Sequence, residues 1–383
     1  MNRSTPFSLA FFLLVALGAT PGSAQIAKGA SKFVGNVYMD GMSGVRFDTV
    51  WPKAKFDAYW NRITPENAAY WSSVESVRGQ MHWGRLDSIS SYAKRHGIPW
   101  VYSPLLESET GFTSGMLSAS PDTLKMQIQG WFDTVAARYP EISEVVVVDG
   151  PYPTHGTKGK FSQALAGVLT ADPAWIVEAF RMARRSFPRA RLLLSDYNNI
   201  EYVQEHEYFL KTVRALQAVD APLDGIGCQA HDAYKRPVEI LRKYLDSLAT
   251  TGLPITITQY EIAASNDSLQ DSILQAQFPL FWNHPAVAGI TYWGTVEGTT
   301  WRTGTGLMNA DGTERPALTW LKKYVAAHPN PPTPIRPSTA ARSRESRPSS
   351  IRTPLEIREL GGRLVVGIVR GGEFHSLASG RIR

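Results

Sequence analysis

The stretch from Arg191 to Gln229 reads RLLLSDYNNIEYVQEHEYFLKTVRALQAVDAPLDGIGCQ and contains one complete strand–helix–strand unit. Its first residues, Arg191–Asp196, are rich in apolar side chains and predict a strand. Apolar residues then recur at helical spacing over Val203–Ala218, and a second apolar run follows at Gly225–Gln229. Two parallel strands need a crossover of about a dozen residues or more, so this spacing predicts a βαβ unit.

The same alternation continues on both sides of this unit, between about Lys32 and His328. Eight strands are predicted, at Phe33–Val37, Arg62–Thr64, Pro99–Ser103, Glu144–Asp149, Arg191–Asp196, Gly225–Gln229, Pro254–Gln259 and Val287–Trp293. Eight βα units in about 300 residues indicate an α/β protein with a closed (β/α)8 barrel over residues 32–328 as its single domain. The functional residues of such a barrel lie where strands end and the next loops begin.

Both ends of the chain are predicted to lie outside the barrel. Residues 1–24 combine Arg3, an apolar run from Phe7 to Gly18 and small residues up to Ala24, which predicts a cleavable signal peptide. The alternative, a membrane anchor, is weaker because the run is shorter than the roughly 20 residues that span a bilayer. We therefore expect a secreted protein, extracellular or periplasmic, with no membrane span.

The C-terminal part has a different composition from the barrel. Residues 329–354 are rich in Pro, Ser and Arg and predict a disordered linker. Residues 355–383 show strand-like patterning and predict a short tail, either a remnant of a sorting tail or a segment without a role.

The net charge of the chain lies in this C-terminal part. The formal net charge is +6, and residues 331–383 contain ten Arg and four Glu but neither Lys nor Asp, so the remainder is neutral. A neutral barrel argues against nucleic-acid binding and suits a neutral polymer such as a polysaccharide. Cys228 is the single cysteine, so stability must come from a packed core rather than from internal disulfides.

The sequence contains no pattern typical of a cofactor or metal site. No Gly-rich phosphate loop follows a predicted strand. His155 and His231 lack the H-x-x-H or H-x-H spacing of a metal site. We therefore expect no cofactor, no metal, and a monomer that binds its ligand unaided.

Four strand ends carry motifs that match one enzyme family in order and placement. They are Ile63-Thr64-Pro65-Glu66-Asn67 with Trp71, Ser195-Asp196-Tyr197-Asn198, Gly225-Ile226-Gly227-Cys228-Gln229-Ala230-His231, and Tyr292-Trp293-Gly294 followed by Trp301 and Arg315-Pro316-Ala317. Together they resemble glycoside hydrolase family 10, the endo-1,4-β-xylanase family, over nearly the whole barrel. The resemblance implies a retaining glycosidase, whose two carboxyl groups flank the scissile bond about 5–5.5 Å apart.

This chain departs from that family at both carboxyl positions. The family's acid/base Glu lies in V-V-N-E-P, and here Val147-Val148-Asp149-Gly150-Pro151 has Gly150 at the Glu position. The nucleophile lies in T-E-x-D, and here Thr258-Gln259-Tyr260-Glu261 has Gln259 there. Neither glycine nor a neutral amide can donate the proton or form the glycosyl ester, so the usual double displacement is expected to fail.

Several carboxylates remain near the expected site, and Asp149, Glu261 and Glu109 are the candidates to substitute. Glu261 lies roughly 6.6 Å beyond Gln259 on the same face of a strand, and by resemblance it orients a neighbouring His. A pair built from Asp149 or Glu109 with Glu261 would suit an inverting mechanism if it were spaced about 6.5–9.5 Å apart.

Six further residues match positions that bind the sugar in the family: Glu66, Asn67, Gln229, His231, Trp293 and Trp301. The alternative for the polar residues is a buried network whose members hydrogen-bond one another, and for the tryptophans a place in the core.

Two hypotheses therefore stay open for the function. One is a secreted pseudoenzyme that binds β-linked, xylan-type polysaccharide. The other is an active endo-1,4-β-xylanase or related β-glycanase that uses relocated carboxylates.

Overall fold

The computed structural model describes residues 25–39, 56–107, 115–155, 159–167 and 173–334, and the backbone of 355–359, 363–370 and 373–381. The chain forms two compact units, Met1–Ile335 and Arg336–Arg383. The predicted signal peptide, most of the predicted linker and Glu109 lie outside the described residues.

The first unit is an eight-stranded parallel sheet surrounded by helices. Its strands are Phe33–Tyr38 (β1), Ile63–Pro65 (β2), Leu106–Glu107 (β3), Glu144–Asp149 (β4), Arg191–Asp196 (β5), Gly225–Cys228 (β6), Ile255–Tyr260 (β7) and Val287–Tyr292 (β8). The described α-helices are Phe56–Tyr59 (α1), Trp71–Val74 (α2), Gly84–His96 (α3), Pro121–Arg138 (α4), Gly159–Ala166 (α5), Ala174–Ser186 (α6), Val203–Ala218 (α7), Val238–Ala249 (α8), Asp267–Asn283 (α9) and Pro316–Ala327 (α10), and two short 3-10 helices lie at Met116–Ser118 and Ala233–Lys235. The strand order β2-β1-β8-β7-β6-β5-β4-β3 is that of a (β/α)8 barrel and confirms the predicted fold.

The segment Pro99–Ser103, which we predicted as the third strand, closes the barrel without forming a regular ladder. Trp100 bridges Ile63 on one side, and Tyr102 bridges Val145 on the other. The regular pairing with β4 begins only at Leu106. Pro104 interrupts the ladder because proline has no N–H to donate to a neighbouring strand.

Apolar side chains fill both the barrel and the layer between sheet and helices. All six residues of β4 are buried. Val146, Leu193 and Val101 form a separate small cluster, whereas Val145, Val147, Leu192 and Leu194 belong to the main core. Since side chains alternate along a strand, the small cluster fills the barrel interior and the main core packs against the helices.

An ion cluster closes the end of the barrel where the strands begin. The buried Glu144 carboxylate lies 2.6 Å from Arg62 and 3.0 Å from Arg191. These three residues stand just before or at the first residues of β2, β4 and β5. The opposite end, where the strands finish, therefore remains as the place for a cleft.

The second unit contains three antiparallel strands within the predicted tail: Leu355–Glu359 (β9), Arg363–Arg370 (β10) and Glu373–Arg381 (β11), with β10 in the centre. The backbone thus forms strands where the sequence patterning predicted them, while a sorting role stays a prediction. None of the described helices is both long enough and apolar enough to cross a membrane.

Gly227 on β6 is expected to be essential for the close packing inside the barrel. A Cβ atom there would lie 2.8 Å from the Ser195 Cβ and 3.1 Å from the Thr258 Cγ2. Gly227→Ala should therefore lower the free energy of unfolding by about 1–3 kcal/mol through overpacking. Urea unfolding followed by tryptophan fluorescence measures this effect.

Gly130 provides the matched control for that substitution. It lies exposed within α4, and an added Cβ would meet nothing within 4 Å. Gly130→Ala should be neutral or stabilise by up to about 1 kcal/mol, because alanine favours a helix over glycine. Equal effects of the two substitutions would contradict the tight packing at Gly227.

Candidate functional site

A cleft of about 350 Å³ opens where the barrel strands end. Its lining includes nine of the eleven residues singled out from the sequence: Glu66, Asn67, Asp149, Gly150, Gln229, His231, Gln259, Trp293 and Trp301. Glu261 lies beneath the lining, and Glu109 is outside the described residues. The fold thus brings together residues from β2, β4, β6, β7 and β8, although their roles remain predictions.

Asp149, the last residue of β4, forms part of the cleft floor. Its side chain is only 4% exposed, and both carboxylate oxygens lie 2.9 Å from the Gln229 Nε2, which donates to them. Burial raises the pKa of Asp149 to about 7, and the charges of Asp196 and Glu107 act in the same direction. The Gln229 amide opposes this shift by stabilising the ionised form.

Gly150 follows directly and leaves the floor beside Asp149 without a side chain. Its N–H donates to the Ser195 carbonyl oxygen at 3.0 Å. Its φ of 70° lies in the left-handed region, which favours glycine because a Cβ would crowd the following carbonyl. The backbone at this position is therefore suited to glycine, whatever the chemistry of the cleft.

A hydrogen-bonded chain runs from the cleft surface into the barrel wall. The Gln259 Oε1 lies 2.7 Å from the His231 Nε2, and the His231 Nδ1 lies 3.0 Å from the Glu261 Oε1. Glu261 also accepts from the Trp301 Nε1 at 2.7 Å and pairs with Arg302 at 3.1 Å. With 0% of its surface exposed, Glu261 is sealed from the cleft by the donors that surround it.

The two neighbours of His231 fix the orientation of its ring. Glu261 lies against the Nδ1 and Gln259 against the Nε2, so both ring nitrogens have a hydrogen-bond partner. The Gln259 amide carries no charge and can either donate or accept a hydrogen bond at the Nε2.

Two tryptophans form the apolar part of the cleft wall. Trp301 is 51% exposed, and the Arg302 guanidinium stacks on its ring 4.3 Å from the centroid. Trp293 is buried at the edge of the cleft, and its ring meets His231 edge to face. Because Glu261 and Arg302 both hold Trp301, its flat face is fixed in position despite its exposure.

Two residues of the site, Arg302 and Asp232, carried no signal that we recognised in the sequence. Arg302 and Asp232 line the cleft and lie 3.2 Å apart, although 70 positions separate them in the chain. Below the lining residue Tyr197, the buried His155 stacks on its ring and binds Asp196 at 2.7 Å. Only the fold brings these partners together. Among the residues that the structure describes, no group of three or more His, Cys, Asp or Glu is arranged to hold a metal ion.

A sequence profile for the glycosyl hydrolase family 10 matches residues 26–324. The chain belongs to glycosyl hydrolase family 10. This family 10 barrel is 36% identical over 293 residues to endo-1,4-beta-xylanase B of Cellvibrio japonicus (strain Ueda107), covering 76% of this chain and 45% of that protein. It is 30% identical over 271 residues to endo-1,4-beta-xylanase 3 of Hypocrea jecorina (strain QM6a), covering 67% and 73%. The chain thus spans less than half of the first relative.

Solved structures share the fold of this family 10 barrel at lower sequence identity. Xylanase 10B from Thermotoga petrophila RKU-1, crystallised in complex with xylobiose, superposes with a TM-score of 0.68 at 19% identity, covering 79% of this chain and 96% of that one. A family 10 xylanase from Thermobacillus composti superposes with a TM-score of 0.65 at 21% identity, covering 78% and 98%. These likenesses confirm the barrel architecture.

The raised pKa of Asp149 predicts that the free energy of unfolding falls as the pH rises. Its pKa in the folded protein is about 7, above that of an unfolded Asp, so the folded state keeps this proton to higher pH. Ionising the buried carboxyl therefore costs stability as the pH rises from about 4 through 7. Asp149→Asn removes this cost, and its stability relative to the wild type should rise by up to roughly 3 kcal/mol between about pH 5 and pH 8.

Urea unfolding of both proteins across this pH range measures the difference. Asp122→Asn, an exposed change of the same type on α4, serves as the control and should leave the pH dependence unaltered. A stability difference between Asp149→Asn and wild type that stays constant with pH would show that Asp149 is not a buried, titrating carboxyl.

Proposed function

We propose that this family 10 barrel binds a β-1,4-linked, xylan-type polysaccharide in its cleft without hydrolysing it by double displacement. The relatives at 30–36% identity are named endo-1,4-beta-xylanases, and a barrel of the same fold was crystallised with xylobiose. Tryptophan faces beside polar groups suit a sugar, which has apolar C–H faces and hydroxyl edges. Both features favour a carbohydrate as the ligand.

The observation that carries the proposal is the chemistry of Gly150 and Gln259. Both line the cleft, at the ends of β4 and β7, where the family motif predicts the acid/base and the nucleophile. Gly150 has no side chain, and Gln259 is a neutral amide bound to His231. Retaining hydrolysis needs two carboxyl groups about 5–5.5 Å apart. Neither position provides one.

An active enzyme with relocated carboxylates is the second candidate, and the pKa of Asp149 near 7 favours it. A carboxyl of that pKa can donate a proton near neutral pH. The partner that the sequence suggested, Glu261, is unsuited to act on substrate because it is fully buried and bound by His231, Trp301 and Arg302. We therefore prefer binding over catalysis.

We also propose that the protein is exported through residues 1–24. A polymeric substrate of this kind lies outside the cell, and the predicted leader would deliver the barrel to it. The tail at residues 355–383 is a candidate for sorting after export.

The exposed Trp301 provides a test of binding. Trp301→Ala should weaken retention in affinity gels containing xylan by about tenfold or more, since it removes the exposed stacking face. Met126→Ala is the matched control, because Met126 is 69% exposed on α4, outside the cleft lining.

An assay of hydrolysis separates the two candidates. The wild type should release no reducing sugar from xylan. Hydrolysis that Asp149→Asn abolishes would support the second candidate and contradict the binding role.

The double variant Gly150→Glu with Gln259→Glu tests whether the cleft still positions a sugar chain. It should release reducing sugar from xylan, whereas neither single variant should, because the mechanism needs both carboxyl groups. The left-handed backbone at Gly150 opposes the first change by about 1–2 kcal/mol. Gly150→Ala measures that cost separately by urea unfolding. A folded double variant that binds xylan and stays inactive would contradict the alignment of these two positions.

A further inference from the structure

The charged groups of the cleft are mostly acidic. Among the described lining residues, Glu66, Glu107, Asp149 and Asp232 carry carboxylates, and Arg302 carries a guanidinium. The Arg302 guanidinium is already engaged by Asp232 at 3.2 Å and by Glu261 at 3.1 Å. The positive charge on this wall is therefore neutralised before any ligand enters.

The Asp149 carboxylate has a neutral hydrogen-bond partner, and the charges that act on it are acidic. It is nine-tenths buried, its oxygens are held by the neutral amide of Gln229, and the charged neighbours that act on it, Asp196 and Glu107, are themselves acidic. The nearby His155 lies against Asp196, 2.7 Å from its Oδ1. A buried carboxylate is costly without a partner of opposite charge, and a cationic ligand group in the cleft would supply one.

A sugar that carries an ammonium group fits both the charges and the walls of the cleft. The ammonium forms a hydrogen bond with a carboxylate in which both partners are charged, whereas a neutral hydroxyl brings no charge of its own. The rest of the ring keeps the apolar C–H face that Trp301 and Trp293 can contact. A xylose unit offers only hydroxyl groups to the same carboxylate.

We propose that the cleft selects β-1,4-linked chains that bear free amino groups, of the glucosamine type, and that Asp149 is the residue that recognises the ammonium. This inference rests on the proposed binding function and specifies its ligand class. N-acetylation of the same sugar removes the charge and enlarges the substituent, so it should remove the preference.

Titration calorimetry on the full chain at about pH 7, where about half of the Asp149 carboxyl groups are ionised, and at moderate salt tests this selectivity. The ligands are the β-1,4-linked glucosamine pentamer, its fully N-acetylated counterpart, xylopentaose and pentalysine. The glucosamine pentamer should bind about tenfold or more tightly than the N-acetylated one and xylopentaose. In Asp149→Asn this ratio should fall below about threefold. Asp122→Asn should retain it.

Each other outcome has a definite meaning. Binding of xylopentaose and both glucosamine pentamers with similar affinity would overturn the amino-sugar inference and leave the proposed polysaccharide binding intact. Binding of none of the oligosaccharides would overturn both. Equally tight binding of pentalysine would show that the cleft recognises charge rather than an amino sugar. If Asp149→Asn does not fold by circular dichroism, Asp149→Ser serves as a second variant, and a ratio that stays at about tenfold there would contradict the proposal.

Discussion

The buried carboxylate of Glu261 is the constraint on which the cleft depends. Standing just after β7, it receives the His231 ring from the end of β6 and the Trp301 indole and Arg302 guanidinium from the loop after β8. One buried negative charge thus holds one side of the cleft wall, because leaving it unpaired would cost several kcal/mol. The positions of Gln259 and of the exposed Trp301 face follow from it.

The cleft wall is positioned independently of residues 150 and 259. Its polar and aromatic groups are held by the barrel strands and by Glu261, so their places do not depend on acidic side chains at these two positions. Gln259 even fits the same histidine through its carbonyl oxygen. This family 10 barrel therefore holds its cleft lining in place without a carboxyl group at either position.

The barrel could be predicted from the sequence because strand and helix periodicities alternate so regularly, and seven of the eight strands lie where they were expected. The exception near Pro104 arose because a short apolar run does not reveal where the ladder breaks. Sequence also located Gly150 and Gln259 by their neighbours Pro151 and Thr258. The sequence could not reveal that the Glu261 carboxylate is buried or that Arg302 pairs with it. Its burial depends on residues about 30 to 40 positions away, which meet it only in the folded chain.

The left-handed backbone at Gly150 favours glycine at this position independently of the side chain that is absent. Any other L-residue placed there meets a conformational penalty before its side chain can contribute anything to the cleft. Had an ancestral barrel carried a glutamate here in an ordinary backbone conformation, the present loop would have moved away from it. A return to glutamate would then cost about 1–2 kcal/mol in backbone conformation, so the step to glycine would be easier to make than to reverse.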